Sequence, residues 1–144
     1  PGVGLYGGRP FEGSLPVVSL ALPIIQIREV APGEVVGYAC GWTAEVPSVV
    51  ATVSGGYADG LLRSLSNNAV LWDGETPCPL LGRVSMDLIT VDITHLREIP
   101  RTLDILGPMQ SVDDLADSAG TIGYEILTSL GRRYARRYSS GALV

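Results

Sequence analysis

Val17-Val18-Ser19-Leu20-Ala21-Leu22-Pro23-Ile24-Ile25-Gln26-Ile27-Arg28-Glu29-Val30 is the longest run of β-branched and aliphatic residues in the chain. Near its end Gln26 and Arg28 alternate with Ile25 and Ile27, the period-two pattern of a half-buried strand. The stretch predicts one long strand, interrupted at Pro23 because proline has no N–H for a ladder. Ala31-Pro32-Gly33 then makes a turn. Glu34 to Tyr38 and Thr43 to Ser54 read as further strands. Asp73-Gly74, between Val70-Leu71-Trp72 and a polar strand start, is a hairpin signal. Leu80 to Ile93 and Thr102 to Leu106 are strand-like again, and Arg133 to Tyr138 reads as a last strand.

Helical signals come late. Ser111 is an N-cap for Val112 to Ala119, with Asp113 and Asp114 favourable in the first turn and Gly120 as the stop. Thr121 is read as the cap of a second helix, Ile122 to Leu130, closed by Gly131. Many short strands followed by two short helices predict a mainly β, barrel-like or sandwich-like domain. The length of 144 residues suits a single domain, one that buries about 70% of its unfolded surface.

Composition narrows the function classes. A net charge of −5 argues against nucleic acid or an anionic membrane as partner. The basic cluster Arg132, Arg133, Arg136 and Arg137 runs against that balance and is read as a solvated strand or helix end. Two cysteines, Cys40 and Cys78, and one histidine, His95, are too few for a zinc site or a disulfide framework. No apolar run has the length of a membrane span, so a cytoplasmic location is expected. Mean hydropathy of +0.28 is high for a free-standing domain and suggests a face covered by another domain or subunit. The chain opens at Pro1 without methionine, which suggests a fragment. Gly2-Val3-Gly4-Leu5-Tyr6-Gly7 spells G-x-G-x-x-G, but no strand precedes it and Gly8 and Pro10 follow, so it is a loop and not a dinucleotide fingerprint.

Six stretches together carry a resemblance. They are Gly2 to Gly7, Pro32-Gly33-Glu34-Val35-Val36-Gly37-Tyr38, Gly56-Tyr57-Ala58-Asp59-Gly60, Gly82-Arg83-Val84-Ser85-Met86-Asp87, Asp113-Asp114-Leu115-Ala116 and Thr121-Ile122-Gly123-Tyr124-Glu125-Ile126-Leu127. In this order and spacing the chain resembles the C-terminal domain of alanine racemases over almost its whole length, with residues 1–14 as the tail of the junction to an N-terminal barrel. The resemblance implies a mostly β domain joined to a (β/α)8 barrel that carries a Schiff-base lysine. It also implies pyridoxal 5'-phosphate as cofactor and a head-to-tail homodimer in which one subunit's C-terminal domain completes the other's active site. The reaction it implies is interconversion of L- and D-alanine, which supplies D-alanine for peptidoglycan.

By the same resemblance Tyr38 is the catalytic acid–base for L-alanine. Met86 offers its backbone N–H to the substrate carboxylate, and Tyr57 lines the mouth of the site. Tyr124 and the N–H groups of Gly2 and Val3 hold the cofactor phosphate. Arg83 and Asp87 support Met86, or form an ion pair with each other. Each has a plainer reading: strand packing for Tyr38, core filling for Met86, packing beside a turn for Tyr57. Gly123 stands where many relatives have proline, which loosens the turn before Tyr124. All ten basic residues are arginine. Without a lysine the chain has no side-chain primary amine to form a Schiff base, so alone it is expected to be inactive. A racemase for another amino acid, such as serine, and a non-catalytic β-domain are the competing readings.

Overall fold

The computed structural model describes residues 2–11 and 13–139. Pro1 and Glu12, both within the expected junction stretch, lie outside them. Eight strands and two helices follow a 3-10 helix at Gly2–Tyr6, where the sequence reading has a loop. The strands are β1 Leu20–Val30, β2 Val35–Val36, β3 Trp42–Thr43, β4 Ser48–Ser54, β5 Val70–Asp73, β6 Thr76–Leu81, β7 Leu88–Asp92 and β8 Thr102–Leu106. The helices are α1 Val112–Ala119 and α2 Gly123–Ser129. Six strands close a barrel in the order β1-β4-β7-β6-β5-β8, and β2 and β3 form a separate hairpin. The mainly β, barrel-like fold with two late helices is as the sequence predicts.

β1 runs unbroken through Pro23. Residues Leu20 to Pro23 pair with β8, and Ile24 to Val30 pair with β4. The register slips between Ile24 and Gln26, and such an irregularity bends a strand. Pro23 therefore sits at a corner where the strand changes partner, a place where a missing donor is tolerated. The Ile24 N–H resumes bonding at once, to the Arg101 carbonyl at 2.9 Å.

Alternation fills two cores from the same strands. Leu22, Ala51, Val53, Leu71, Cys78, Leu80, Ile89, Val91, Leu103 and Ile105 point inward, and Leu115, Ala116 and Ile126 of the helices join them. Val50 and Leu81, next to Ala51 and Leu80, point outward. With Val30, Val36, Ala44 and the partly buried Trp42 they build a small second core that holds the β2–β3 hairpin on the barrel.

The hairpin from β5 to β6 forms as expected. Asp73 pairs with Thr76 and Gly74 takes φ +56°, the positive value that hairpin loops need. Helix α1 also has its expected bounds. The Asp114 N–H donates to Ser111 Oγ at 3.2 Å and the Ser111 N–H donates to Asp114 Oδ2 at 2.8 Å, a reciprocal capping box.

Other boundaries differ. The strand expected over Glu34 to Tyr38 shrinks to Val35–Val36, leaving Tyr38 in the loop. Thr43 to Ser54 divides around the 44–47 loop, and Leu80 to Ile93 divides around residues 82–87. The breakers stand in the sequence, Pro47 in the first loop and Gly82 in the second, and the β-branched residues on either side carry the strand signal past them. α2 begins at Gly123 after Ile122, and the Thr121 hydroxyl bonds the Glu125 carboxylate instead of capping the helix. Residues 133–138 form no strand. No helix among the described residues is long and apolar enough to cross a membrane.

Burial sets two expectations. Leu71 is fully buried inside the barrel, so Leu71→Ala should cost about 2–5 kcal/mol, read as a lower urea midpoint at unchanged slope. Burial, aided by Asp73, pushes the Cys78 thiol up to about 11, whereas Cys40 is exposed. Iodoacetamide at pH 8 should therefore label one thiol in the native protein and two in urea. Equal labelling of both in the native state would contradict this core.

Candidate functional site

The tip of the β2–β3 hairpin carries Tyr38. Its flanks need unusual backbone, with φ +83° at Gly37, +55° at Ala39 and +52° at Cys40. For a residue with a Cβ this region costs on the order of 1–3 kcal/mol, and such residues concentrate where a site fixes their geometry. The result is a side chain held outward, 68% exposed. Strand packing, the plainer reading of Tyr38, is thus not what the structure holds.

Gly41 seats this hairpin on its neighbour. A Cβ there would stand 2.9 Å from the Arg83 nitrogen and 3.1 Å from the Gly82 Cα. The two backbones touch because Gly41 brings no side chain to the contact. The neighbour is the 82–87 loop, which contains Met86. Its side chain is 52% exposed, so it is no core filler. The Met86 carbonyl accepts from the Ala58 N–H at 2.9 Å, and the Ser85 carbonyl accepts from the Tyr57 N–H at 2.9 Å. The Met86 N–H donates to no protein acceptor among the described residues.

Tyr57 opens a 3-10 helix, Tyr57–Asp59, whose first turn lies against the Met86 loop. Gly56 makes that approach possible, since a Cβ there would overlap the Ser85 and Met86 carbonyls. Tyr57 itself is 44% exposed. Asp59 is buried and accepts from the Gly56 N–H at 3.0 Å.

The third group lies at the start of α2. The Val3 N–H donates to Tyr124 Oη at 2.7 Å. Gly2, at φ +58°, has no space for a Cβ beside that hydroxyl. The stretch is docked on α1, where the Arg9 N–H donates to Asp113 Oδ2 at 2.7 Å and the Arg9 guanidinium meets Asp117. Asp117 raises the guanidinium pKa further through that hydrogen bond. Gly123, expected to loosen the turn, is instead buried and crowded: a Cβ there would lie 2.9 Å from Asp113 Oδ1.

α2 connects the second and third groups, because its C-terminal end packs on Gly60 and the Gly131 N–H donates to the Asp59 carbonyl at 2.9 Å. Arg83 and Asp87 do not pair. Arg83 is exposed, and Asp87 Oδ1 accepts from Arg133 Nη1 at 2.7 Å. Arg133 also meets Asp59 Oδ1 at 3.0 Å. Sequence reasoning missed both Asp59 and Arg133. Asp59 lay inside a quoted motif, but nothing local marked it as buried, and Arg133 was hidden in a cluster read as solvated.

Comparison with known proteins identifies the family. The family model described as the alanine racemase C-terminal domain matches residues 17–138. An alanine racemase of Cereibacter sphaeroides is 70% identical over 97% of this chain and 40% of its own length. The catabolic alanine racemase of Agrobacterium fabrum is 49% identical over 96% of this chain and 38% of its own. The crystal structure of alanine racemase from Bartonella henselae with covalently bound pyridoxal phosphate superposes with a TM-score of 0.89 at 37% identity, over 96% of this chain and 41% of that one. Alanine racemase from Streptomyces coelicolor A3(2) gives 0.90 at 30% identity, over 98% and 40%. The chain thus spans about 40% of the length of these curated relatives.

The crowding at Gly56 is testable directly. Gly56→Ala pushes a methyl into the Ser85 and Met86 carbonyls, which should cost about 1–3 kcal/mol. It should shift the amide resonances of Tyr57, Ala58 and Met86 while leaving α1 unmoved. Unchanged spectra would mean that the two loops are not in contact.

Proposed function

The chain belongs to the alanine racemase C-terminal domain family, and we propose that it forms one wall of a pyridoxal 5'-phosphate-dependent alanine racemase site. The other wall belongs to an N-terminal barrel, and in a head-to-tail homodimer it is the partner subunit's barrel. The setting proposed is the cytoplasm, with D-alanine going to peptidoglycan. The observation that carries the reading is the outward presentation of Tyr38 by a backbone-strained hairpin, seated through Gly41 on the loop of Met86. Packing alone gives no reason to hold a phenol in that way.

Racemisation requires a proton to leave Cα on one face and another to arrive on the opposite face. In this reading Tyr38 Oη takes and returns the proton on the face of L-alanine. Its exposure lets it reach a substrate held by another surface. Met86 offers its unused N–H to the substrate carboxylate, which fixes Cα in front of the phenol. Tyr57 lines the mouth of the site beside it. Arg83 and Asp87 border Met86 in the same loop, and Asp87 acts there with Arg133 in place of Arg83.

The residues assigned to the cofactor suit a phosphate. Tyr124 Oη lies against Gly2 and accepts from the Val3 N–H, so the phenol and the two backbone N–H groups meet at one point, where a phosphate would take the Val3 N–H over from the phenol oxygen. When bound, the cofactor draws electrons away from Cα and so makes its proton acidic. The acid–base group for the other face, and the amine that holds the cofactor, must come from elsewhere, since this chain has no lysine.

The test replaces the matching region of the 70%-identical racemase with this chain. The hybrid should racemise alanine, and the isolated chain should not. Tyr38→Phe in the hybrid should lower turnover by roughly 10²–10⁴-fold, with cofactor absorbance unchanged. It should stop exchange of the Cα proton of L-alanine with solvent while exchange from D-alanine continues. Near-normal racemisation by Tyr38→Phe would overturn the assignment, and a preference for serine would overturn the substrate.

A further inference from the structure

Among the described residues, Arg133 alone joins the turn of Tyr57 to the loop of Met86 by charge. Its Nε meets Asp59 Oδ1 at 3.0 Å and its Nη1 meets Asp87 Oδ1 at 2.7 Å. The two carboxylates differ in character. Asp59 has a side chain only 6% exposed, whereas that of Asp87 is 50% exposed. Among the described residues Arg133 is the only cation within ion-pair distance of either. A buried carboxylate that loses its cation is left as an uncompensated charge, so Asp59 ties Arg133 down firmly. Asp87 is then reached from a fixed anchor.

The anchor is itself braced. The Gly131 N–H donates to the Asp59 carbonyl at 2.9 Å, and Arg136 Nη2 donates to the carbonyls of Leu130 and Gly131 at 3.3 and 3.2 Å. The Gly56 N–H closes the turn on the Asp59 carboxylate at 3.0 Å. The segment after α2, which holds two of the four clustered arginines in fixed bonds, thus grips both loops from behind. Guanidinium suits this task because its planar fork offers separate donors to two acceptors.

We propose that Arg133 is a positioning residue for substrate binding. Through Asp59 and Asp87 it holds the turn of Tyr57 and the loop of Met86 in one register, so that the Met86 N–H faces the carboxylate of the amino acid. This rests on the racemase reading above for the role of Met86. Arg133 touches neither substrate nor reacting atoms in this account. A carboxylate contact made equally in ground and transition states affects KM more than kcat.

The experiment uses the same hybrid enzyme with Arg133→Gln, Arg133→Lys and Asp87→Asn. Arg133→Gln should speed amide hydrogen exchange at Gly56 and Ala58 by about tenfold or more. It should raise KM for alanine about tenfold while kcat stays within about threefold. Arg133→Lys keeps a cation for Asp59 and should recover most of the exchange protection. Asp87→Asn should raise KM without quickening exchange at Gly56. Unchanged exchange in Arg133→Gln overturns the clamp, whatever the kinetics. Faster exchange with unchanged KM overturns the positioning role, as does a loss of kcat at constant KM that follows the loss of folded protein. A hybrid with no racemase activity before mutation overturns the functional reading and this role with it, while the exchange data still decide whether the clamp exists.

Discussion

Strand β1 serves two neighbours, and the rest of the domain hangs from that fact. Its first four residues bond β8 and the remainder bond β4, with Pro23 and an irregular register at the changeover. A sheet that closes on itself has no unpaired edge to protect, and closure needs a strand able to turn a corner. Pro23, which has no N–H to give, stands at that changeover as the last β1 residue paired with β8, opposite Thr102. The interior then fills with side chains from alternate positions, and the outward positions become available for other uses.

One of those uses is the second core. Val50 and Leu81 face away from the barrel interior and, with Val30 and Val36, give the β2–β3 hairpin an apolar seat. A two-strand hairpin with two residues in each strand has little stability of its own. Here it is held at its base by burial and at its tip by the contact of Gly41 with Gly82 and Arg83. Held at both ends, the tip can sustain left-handed backbone at Ala39 and Cys40. Stability gained in the base is what permits strain next to Tyr38.

Glycine and charge divide the work of assembling the site. Gly41, Gly56 and Gly2 each mark a point where a side chain would prevent two segments from meeting. Absence of bulk brings backbones close but does not fix them. Fixing falls to hydrogen bonds such as Ala58 to Met86 and Val3 to Tyr124, and to the guanidinium of Arg133 between two carboxylates. The buried Asp59 matters most in that pair, because desolvation makes its partner costly to lose.

Much was legible in the sequence where the cause is local. The Ser111 cap and Gly120 stop placed α1 to the residue, Gly74 placed a hairpin, and the runs at Thr102 and Val17 placed strands, because each signal lies within a few residues of the structure it causes. The spaced motifs around Tyr38, Met86 and Tyr124 identified the family for the same reason, since residue order survives without coordinates. The folded chain alone decided the bends inside Thr43 to Ser54 and Leu80 to Ile93, the outward turn of Tyr38, and the partnership of Asp87 with Arg133 in place of Arg83. Those outcomes depend on which distant segments meet, and a local hydrophobic pattern does not encode that. A basic cluster at the chain end carries no mark of the buried carboxylate that one of its arginines will find 74 residues away.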